Sequence, residues 1–339
     1  MLLLVLALFC WGTWATTFKM TGPKWRFELY YYDFAIGVVL ATVIAGLTFG
    51  SLGWDGFSFI DDLRNAGKRQ DLFGFLGGCV FNLGNMLMLA SVSLAGMSVA
   101  FPICLGVGLV IGSAWSYFLA PAGNPLLLLA GCFCVLVSAG VSGLAFKTHT
   151  LARLLALVQQ GKTKSTKKTF SPKGVILAVA GGVMMGSFNP LVNLARETEV
   201  GLGPYGVAFV FAGGMAFTSF VYNLFFMNLP VQGKPVDFSE YFKGGGKAHY
   251  LGLLGGLMWA VGMIAILVVG RADGPALMPP PIIYAMTQGA TLLGTLWGLI
   301  YWGEFEGSDS RVKALLSAML VLLVVGAALV SVAPVYSLK

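Results

Sequence analysis

Charge is what this sequence has least of. Only 10% of its 339 residues are Asp, Glu, Lys or Arg, where a water-soluble domain carries about a quarter. That excludes a soluble enzyme, and the high apolar content excludes a disordered chain. Histidine is almost missing: His149 and His249 are the only two, both near loops, and no acid–base pair lies inside an apolar run. A membrane-embedded enzyme has nothing there to work with. The five cysteines, Cys10, Cys79, Cys104, Cys132 and Cys134, all sit in apolar runs, and none forms a CxxC. A disulfide-built secreted module is excluded, no metal or cofactor is expected, and the thiols read as small packing groups.

Apolar residues are what the chain has in excess. They make up 57% of it, and the mean hydropathy is +0.83. Charge-free runs cover 1–18, 34–54, 72–146, 174–195, 200–233, 248–270, 274–303 and 314–338. A helical span needs about 20 such residues, so 72–146 must hold three, divided near 93–96 and 121–125. The prediction is an all-α membrane protein with ten transmembrane helices, near 2–18, 32–50, 72–91, 97–119, 126–146, 174–194, 205–228, 250–269, 280–302 and 312–333. The first run lacks a basic n-region and reads as a helix, not a cleaved leader.

The net charge of +7 is spread between the spans and forms no single patch, so nucleic acid is not expected as a partner. Fifteen of the 21 Lys and Arg residues fall in the loops on one side of the predicted membrane. The positive-inside rule places that side, with the basic segment 147–173, in the cytoplasm and both termini outside. A multi-pass protein of the cell membrane is the expected setting, with the bilayer as its constant partner.

Residues 76–96 align without a gap on 254–274, matching Leu76/Leu254, Gly77/Gly255, Gly78/Gly256, Gly84/Gly262 and Gly96/Gly274. Pro102 then matches Pro280, and Gly112 and Trp115 match Gly294 and Trp297. The chain thus divides into a five-helix repeat over 1–146, a basic linker over 147–173 and a second repeat over 174–339. Five is odd, so the second half crosses the membrane in the opposite sense. Such inverted repeats mark secondary transporters that work by alternating access.

The polar groups within the spans are mostly amides and hydroxyls. Thr13 lies on segment 1, Asn82 and Asn85 on segment 3, Asn189 and Asn193 on segment 6, and Gln288 on segment 9. Each Asn pair is spaced so that both side chains can share a helix face. An amide both donates and accepts, which suits a neutral ligand rich in N–H and C=O groups. Helix-to-helix bonding is the competing use of the same residues. Pro190 follows Asn189 and interrupts segment 6, and broken helices are where transporters hold substrate. Trp14, Trp259 and Tyr284 can supply stacking faces. Asp33, after Tyr30-Tyr31-Tyr32, is the candidate proton carrier if it is partly removed from water. Its alternative role is to cap the start of segment 2. Glu28, expected in a wet loop, is the weaker candidate.

At these residues the sequence resembles the ureide permease family of the drug/metabolite transporter superfamily. The carriers are Gly12-Thr13-Trp14, Tyr32-Asp33, Leu83-Gly84-Asn85, Phe188-Asn189-Pro190-Leu191-Val192-Asn193-Leu194-Ala195 and Trp302-Gly303-Glu304. More distantly it is similar to glucose-uptake and rhamnose–proton symporter families. The resemblance implies proton-coupled uptake of allantoin and related oxo-heterocycles such as uracil. It also implies a cavity lined by segments 1, 3, 4, 6, 8 and 9. A sugar importer, or an exporter of metabolites or drugs, is the rival reading. Residues 156–163 read ALVQQGKT, like the Walker-like stretch in plant members. The first glycine is Ala156, and no strand or acidic partner accompanies it, so nucleotide binding is not expected. The expected partner is a small-molecule substrate, the proton gradient is the energy source, and the oligomeric state, a homodimer included, is left open.

Overall fold

The computed structural model describes residues 1–52, 58–119, 121, 123–160, 171–197, 199–271 and 280–336. Within them the elements are helical, as hydrocarbon demands of a chain that must satisfy its own backbone. The order is α1 (Leu2–Met20), α2 (Phe27–Leu47), α3 (Phe59–Asn65), α4 (Lys68–Ala95), α5 (Met97–Leu119), α6 (Pro125–Gln159) and α7 (Lys173–Ser187). Then follow α8 (Asn189–Arg196), α9 (Pro204–Asn228), α10 (Ser239–Phe242), α11 (Gly246–Val269), α12 (Pro280–Leu296) and α13 (Ser310–Val332). With α7 and α8 taken together, nine helices among the described residues are long and apolar enough to cross a bilayer. The remaining predicted span, 280–302, is α12 followed by a π-helical turn over Trp297–Tyr301. The protein is a multi-pass, all-α membrane protein.

Local chemistry sets several boundaries. Asn124 caps α6 by accepting from the Leu126 and Leu127 amides, with Pro125 at the first helical position. Asp309 caps α13 through the Val312 amide. Pro190 offers no N–H to the turn before it, and the helix of segment 6 is interrupted at Phe188, between α7 and α8. Pro102, by contrast, is carried inside α5 without a break.

Two sequence-based boundaries differ. Residues 147–159 were expected in the linker, but they continue α6. Leu, Ala, Arg and Gln dominate there and favour helix, and no Gly or Pro intervenes before Gly161. Of the ALVQQGKT stretch, residues 156–160 lie at this helix end, and 161–163 are outside the described residues. Segment 2 starts at Phe27, not near 32, with Arg26 as its N-cap. The reason is that Phe27, Leu29, Tyr30, Tyr31 and Phe34 are apolar or aromatic and pack inward as helix.

Helix packing follows one rule of exchange. α4 packs on α7 as α11 packs on α1, and α5 on α7 as α12 on α1. α4 packs on α9 as α11 on α2, and α5 on α6 as α12 on α13. The pairs α2·α9, α5·α12 and α6·α13 join the two sets. Swapping the helices of the first half for those of the second therefore maps these pairs onto one another. Ala95 and Gly174, Trp25 and Gly244, and Gly96 and Glu304 meet at the end that also receives the C-termini of α1 and α9. We call this the basic end, because Lys19, Arg26, Lys173, Lys234 and Lys243 gather there.

Candidate functional site

A cavity of about 440 Å³ runs from the middle of the bundle toward the end opposite the basic one. α1, α4, α5, α7, α8, α9, α11 and α12 all contribute to its wall. Its interior is aromatic. Trp259 lies 4.8 Å from Phe81, 6.2 Å from Phe211 and 6.4 Å from Trp11, measured between ring centroids. Phe188, at the α7–α8 break, adds an edge-on contact to Phe81 at 5.1 Å. Trp11 is anchored by its Nε1, which donates to the Trp259 carbonyl at 3.0 Å. Such a ring-lined wall offers flat faces to a planar ligand.

Polar groups punctuate this wall. Asn85, Asn189, Asn193 and Gln288 line it, and so do Trp14 and Trp259. The break before Pro190 brings the Asn189 and Asn193 face of α8 to the cavity. Thr13 is not in the lining: its hydroxyl accepts from Trp297 Nε1 at 3.2 Å. Asn82 is not in it either. It is fully buried between helices, accepting from Tyr31 at 2.8 Å and donating to the Met215 carbonyl at 3.0 Å. It serves as the interhelical bond that was the alternative use of these amides. The side chain of Tyr284 lies outside the described residues.

Sequence reasoning missed Trp11, Phe211, Thr291 and Arg196 as lining residues. Trp11 was within reach, since it precedes Trp14 by three residues and so shares its helix face. Phe211 belongs to segment 7, which was not expected to contribute. Arg196 ends α8 at the far end of the cavity, and its charge was visible in the sequence, but its direction was not.

The two proton-carrier candidates lie elsewhere, toward the basic end. Asp33 does not cap segment 2: it is the seventh residue of α2 and is buried. Tyr241 on α10 donates to its Oδ1 at 2.6 Å, and His249 Nδ1 stands 2.9 Å from its Oδ2. An ionised Asp33 only accepts, so while it is charged His249 carries its hydrogen on Nδ1. Burial, with the Asp33 carboxylate holding its proton, pushes the Tyr241 phenol up, so it stays a donor at physiological pH. Glu28, expected in a wet loop, is instead fully buried in the first turn of α2 and ion-paired with Arg26. The early start of the helix accounts for this, because it turns Glu28 inward.

Glu304 holds the basic end together. Its carboxylate accepts from the Met97 and Ser98 amides at 2.8 Å each, and from the Ser98 hydroxyl and Lys19. Lys19 Nζ also sits 4.8 Å from the Trp302 ring centroid. The end of α1, the start of α5 and the turn after α12 thus meet on one carboxylate. Gly96, between α4 and α5, has φ +87°, and a Cβ there would stand 2.5 Å from the Glu304 carboxylate. Both the backbone and the space demand glycine.

Comparison with known proteins bears on the whole chain. The sequence profile of the ureide permease family matches residues 30–171 and 146–333. Ureide permease 1 of Arabidopsis thaliana is 24% identical over 96% of this chain and 94% of its own length. Ureide permease 5 of the same plant is 26% identical over 97% and 92%. A protein of Lactococcus lactis subsp. lactis named for sugar uptake, YxfA, is 25% identical over 85% and 87%. A crystal structure covering 97% of this chain and 94% of its own shares the fold, with a TM-score of 0.53 at 18% identity.

Proposed function

Because the chain belongs to the ureide permease family, we propose that it imports a small neutral ureide or oxo-heterocycle, of the allantoin or uracil kind. Membership makes it a permease and not an enzyme. The observation that carries the ligand class is the cavity: aromatic faces with Asn85, Asn189, Asn193 and Gln288 among them. Flat rings edged with N–H and C=O groups satisfy both features at once. Thr291 is a further hydroxyl on the wall.

Transport runs by alternating access between two inverted halves. The exchange symmetry of the helix packing supports this. The basic end faces the cytoplasm of the cell membrane, and both termini face outside. In this conformation the cavity then reaches toward the outside, and the Glu304 cluster seals the inside. Inward proton flow drives uptake, each net charge being worth about 2.3 kcal/mol per 100 mV. Asp33 takes the proton. Neutralising it weakens its bonds to Tyr241 and His249, which loosens the basic end and couples the proton to opening. Glu28, neutralised by Arg26, plays no part in this cycle.

The likeness to a protein named for sugar uptake supports a second reading, since sugars also pair with amides and stack on Trp. Uptake of labelled allantoin into proteoliposomes, with and without an inward proton gradient, separates the two when chased by uracil and by glucose. Gradient-dependent accumulation blocked by uracil is expected. Accumulation blocked by glucose alone would sink the ureide reading and keep the architecture.

A further inference from the structure

One buried acceptor in the cavity wall has its direction dictated from two helices away. The chain of constraint starts at the Met215 carbonyl, which can only accept. Asn82 Nδ2 lies 3.0 Å from it, 2.9 Å from Thr218 Oγ1 and 3.1 Å from Ser219 Oγ. Thr218 donates its own hydrogen to the Gly214 carbonyl and Ser219 to the Met215 carbonyl, each at 2.7 Å. Both hydroxyls are therefore left as acceptors, and with the Met215 carbonyl they share the two Nδ2 hydrogens, so the Asn82 amide cannot be inverted.

Asn82 Oδ1 then faces Tyr31, which donates its one hydrogen to it at 2.8 Å. The Tyr31 oxygen is left able only to accept, and Asn85 Nδ2 supplies the donor at 3.0 Å. Asn85 is thereby also held in one orientation. Its Oδ1 is fully buried, belongs to a residue of the cavity wall, and has no hydrogen-bond partner among the described residues. An amide elsewhere could flip to suit a ligand. This one cannot without breaking the Tyr31 bond.

We propose that Asn85 Oδ1 is a fixed acceptor that reads a substrate N–H, with Tyr31 and Asn82 as the positioning residues that forbid its inversion. This rests on the reading of the cavity as the site of an N–H-bearing heterocycle. It adds that the protein requires a donor at one ring position and rejects the same ring methylated there. A ligand that leaves a buried acceptor unpaired loses about tenfold or more in affinity.

The test uses the full chain in proteoliposomes and in detergent. Uptake of labelled uracil is competed with uracil, 1-methyluracil, 3-methyluracil and 1,3-dimethyluracil, and the affinity ratios are read for wild type, Tyr31→Phe and Asn85→Leu. Wild type is expected to reject one monomethyl isomer and the dimethyl compound at least about tenfold. Tyr31→Phe frees the amide to invert and Asn85→Leu removes the acceptor, so both should bring that ratio near unity by weakening uracil itself about tenfold toward the affinity of its methylated forms. A wild-type ratio near unity, an unchanged ratio in the monodisperse variants, or total loss of binding in both, overturns the proposal. Wild type that carries neither uracil nor allantoin defeats the substrate reading and this proposal with it. Wild type that carries uracil, with an unaltered ratio in the variants, defeats this proposal alone.

Discussion

Gly78 on α4 and Gly256 on α11 occupy the same place in two separate helix crossings. A Cβ on Gly78 would stand 2.0 Å from the Phe211 carbonyl oxygen on α9, and one on Gly256 2.0 Å from the Phe34 carbonyl oxygen on α2. These are the glycines that align when the sequence is laid on itself. In lipid, helices gain little from apolar association, so close backbone approach does the work of packing.

Gly78→Val and Gly256→Val should each cost folded protein to a similar extent. The obstruction is backbone, which cannot rotate away, and overpacking of this kind costs about 1–3 kcal/mol or more. Gly140→Ala, with nothing within 4 Å of a new Cβ, is the control and should behave as wild type. Yield of monodisperse protein on size exclusion in mild detergent reads the difference.

Breaking the Glu304 cluster should shift the protein toward a state open at the basic end. Lys19→Met removes the ammonium but leaves the carboxylate on the Met97 and Ser98 amides. A charge-assisted bond is worth about 1.5–3 kcal/mol, so the shift should be about tenfold or larger. Reaction of a cysteine placed at Ala95, which is buried next to Gly96 at the cluster, with a membrane-impermeant thiol reagent should speed up in Lys19→Met. An unchanged rate would show that the pair does not gate this end.

Asp33→Asn should uncouple transport. Exchange of labelled for unlabelled ligand at equal pH should persist, because Asp33 is not in the cavity wall. Accumulation driven by an inward proton gradient should fall to the level without one. His249→Gln, which keeps a donor for the same carboxylate, should retain part of the accumulation. Gradient-driven uptake at wild-type level in Asp33→Asn would remove Asp33 from the coupling scheme.

Trp259→Ala should raise the apparent KM about tenfold, and Trp259→Phe should recover much of the loss. Aromatic stacking is worth about 0.5–1.5 kcal/mol beyond the area it buries, and Trp259 is also the ring on which Trp11, Phe81 and Phe211 converge. Competition curves on purified protein separate affinity from turnover.

Sequence alone determined that this chain lives in a membrane, because a chain 10% charged cannot be solvated otherwise. It also marked where segment 6 can break, since Pro190 brings no N–H to the turn before it, although the structure alone separates it from Pro102, which α5 carries unbroken. These are local properties of composition and backbone. Only the tertiary structure decided what each amide does. Asn82 and Asn85 are three residues apart, about 60° around the helix, yet one is consumed by α2 and α9 and the other reaches the cavity. The burial of Glu28 against Arg26 and the capture of Lys19 by a residue 285 positions away belong to the same class. Each depends on which distant helix arrives opposite the side chain, and no local periodicity encodes that.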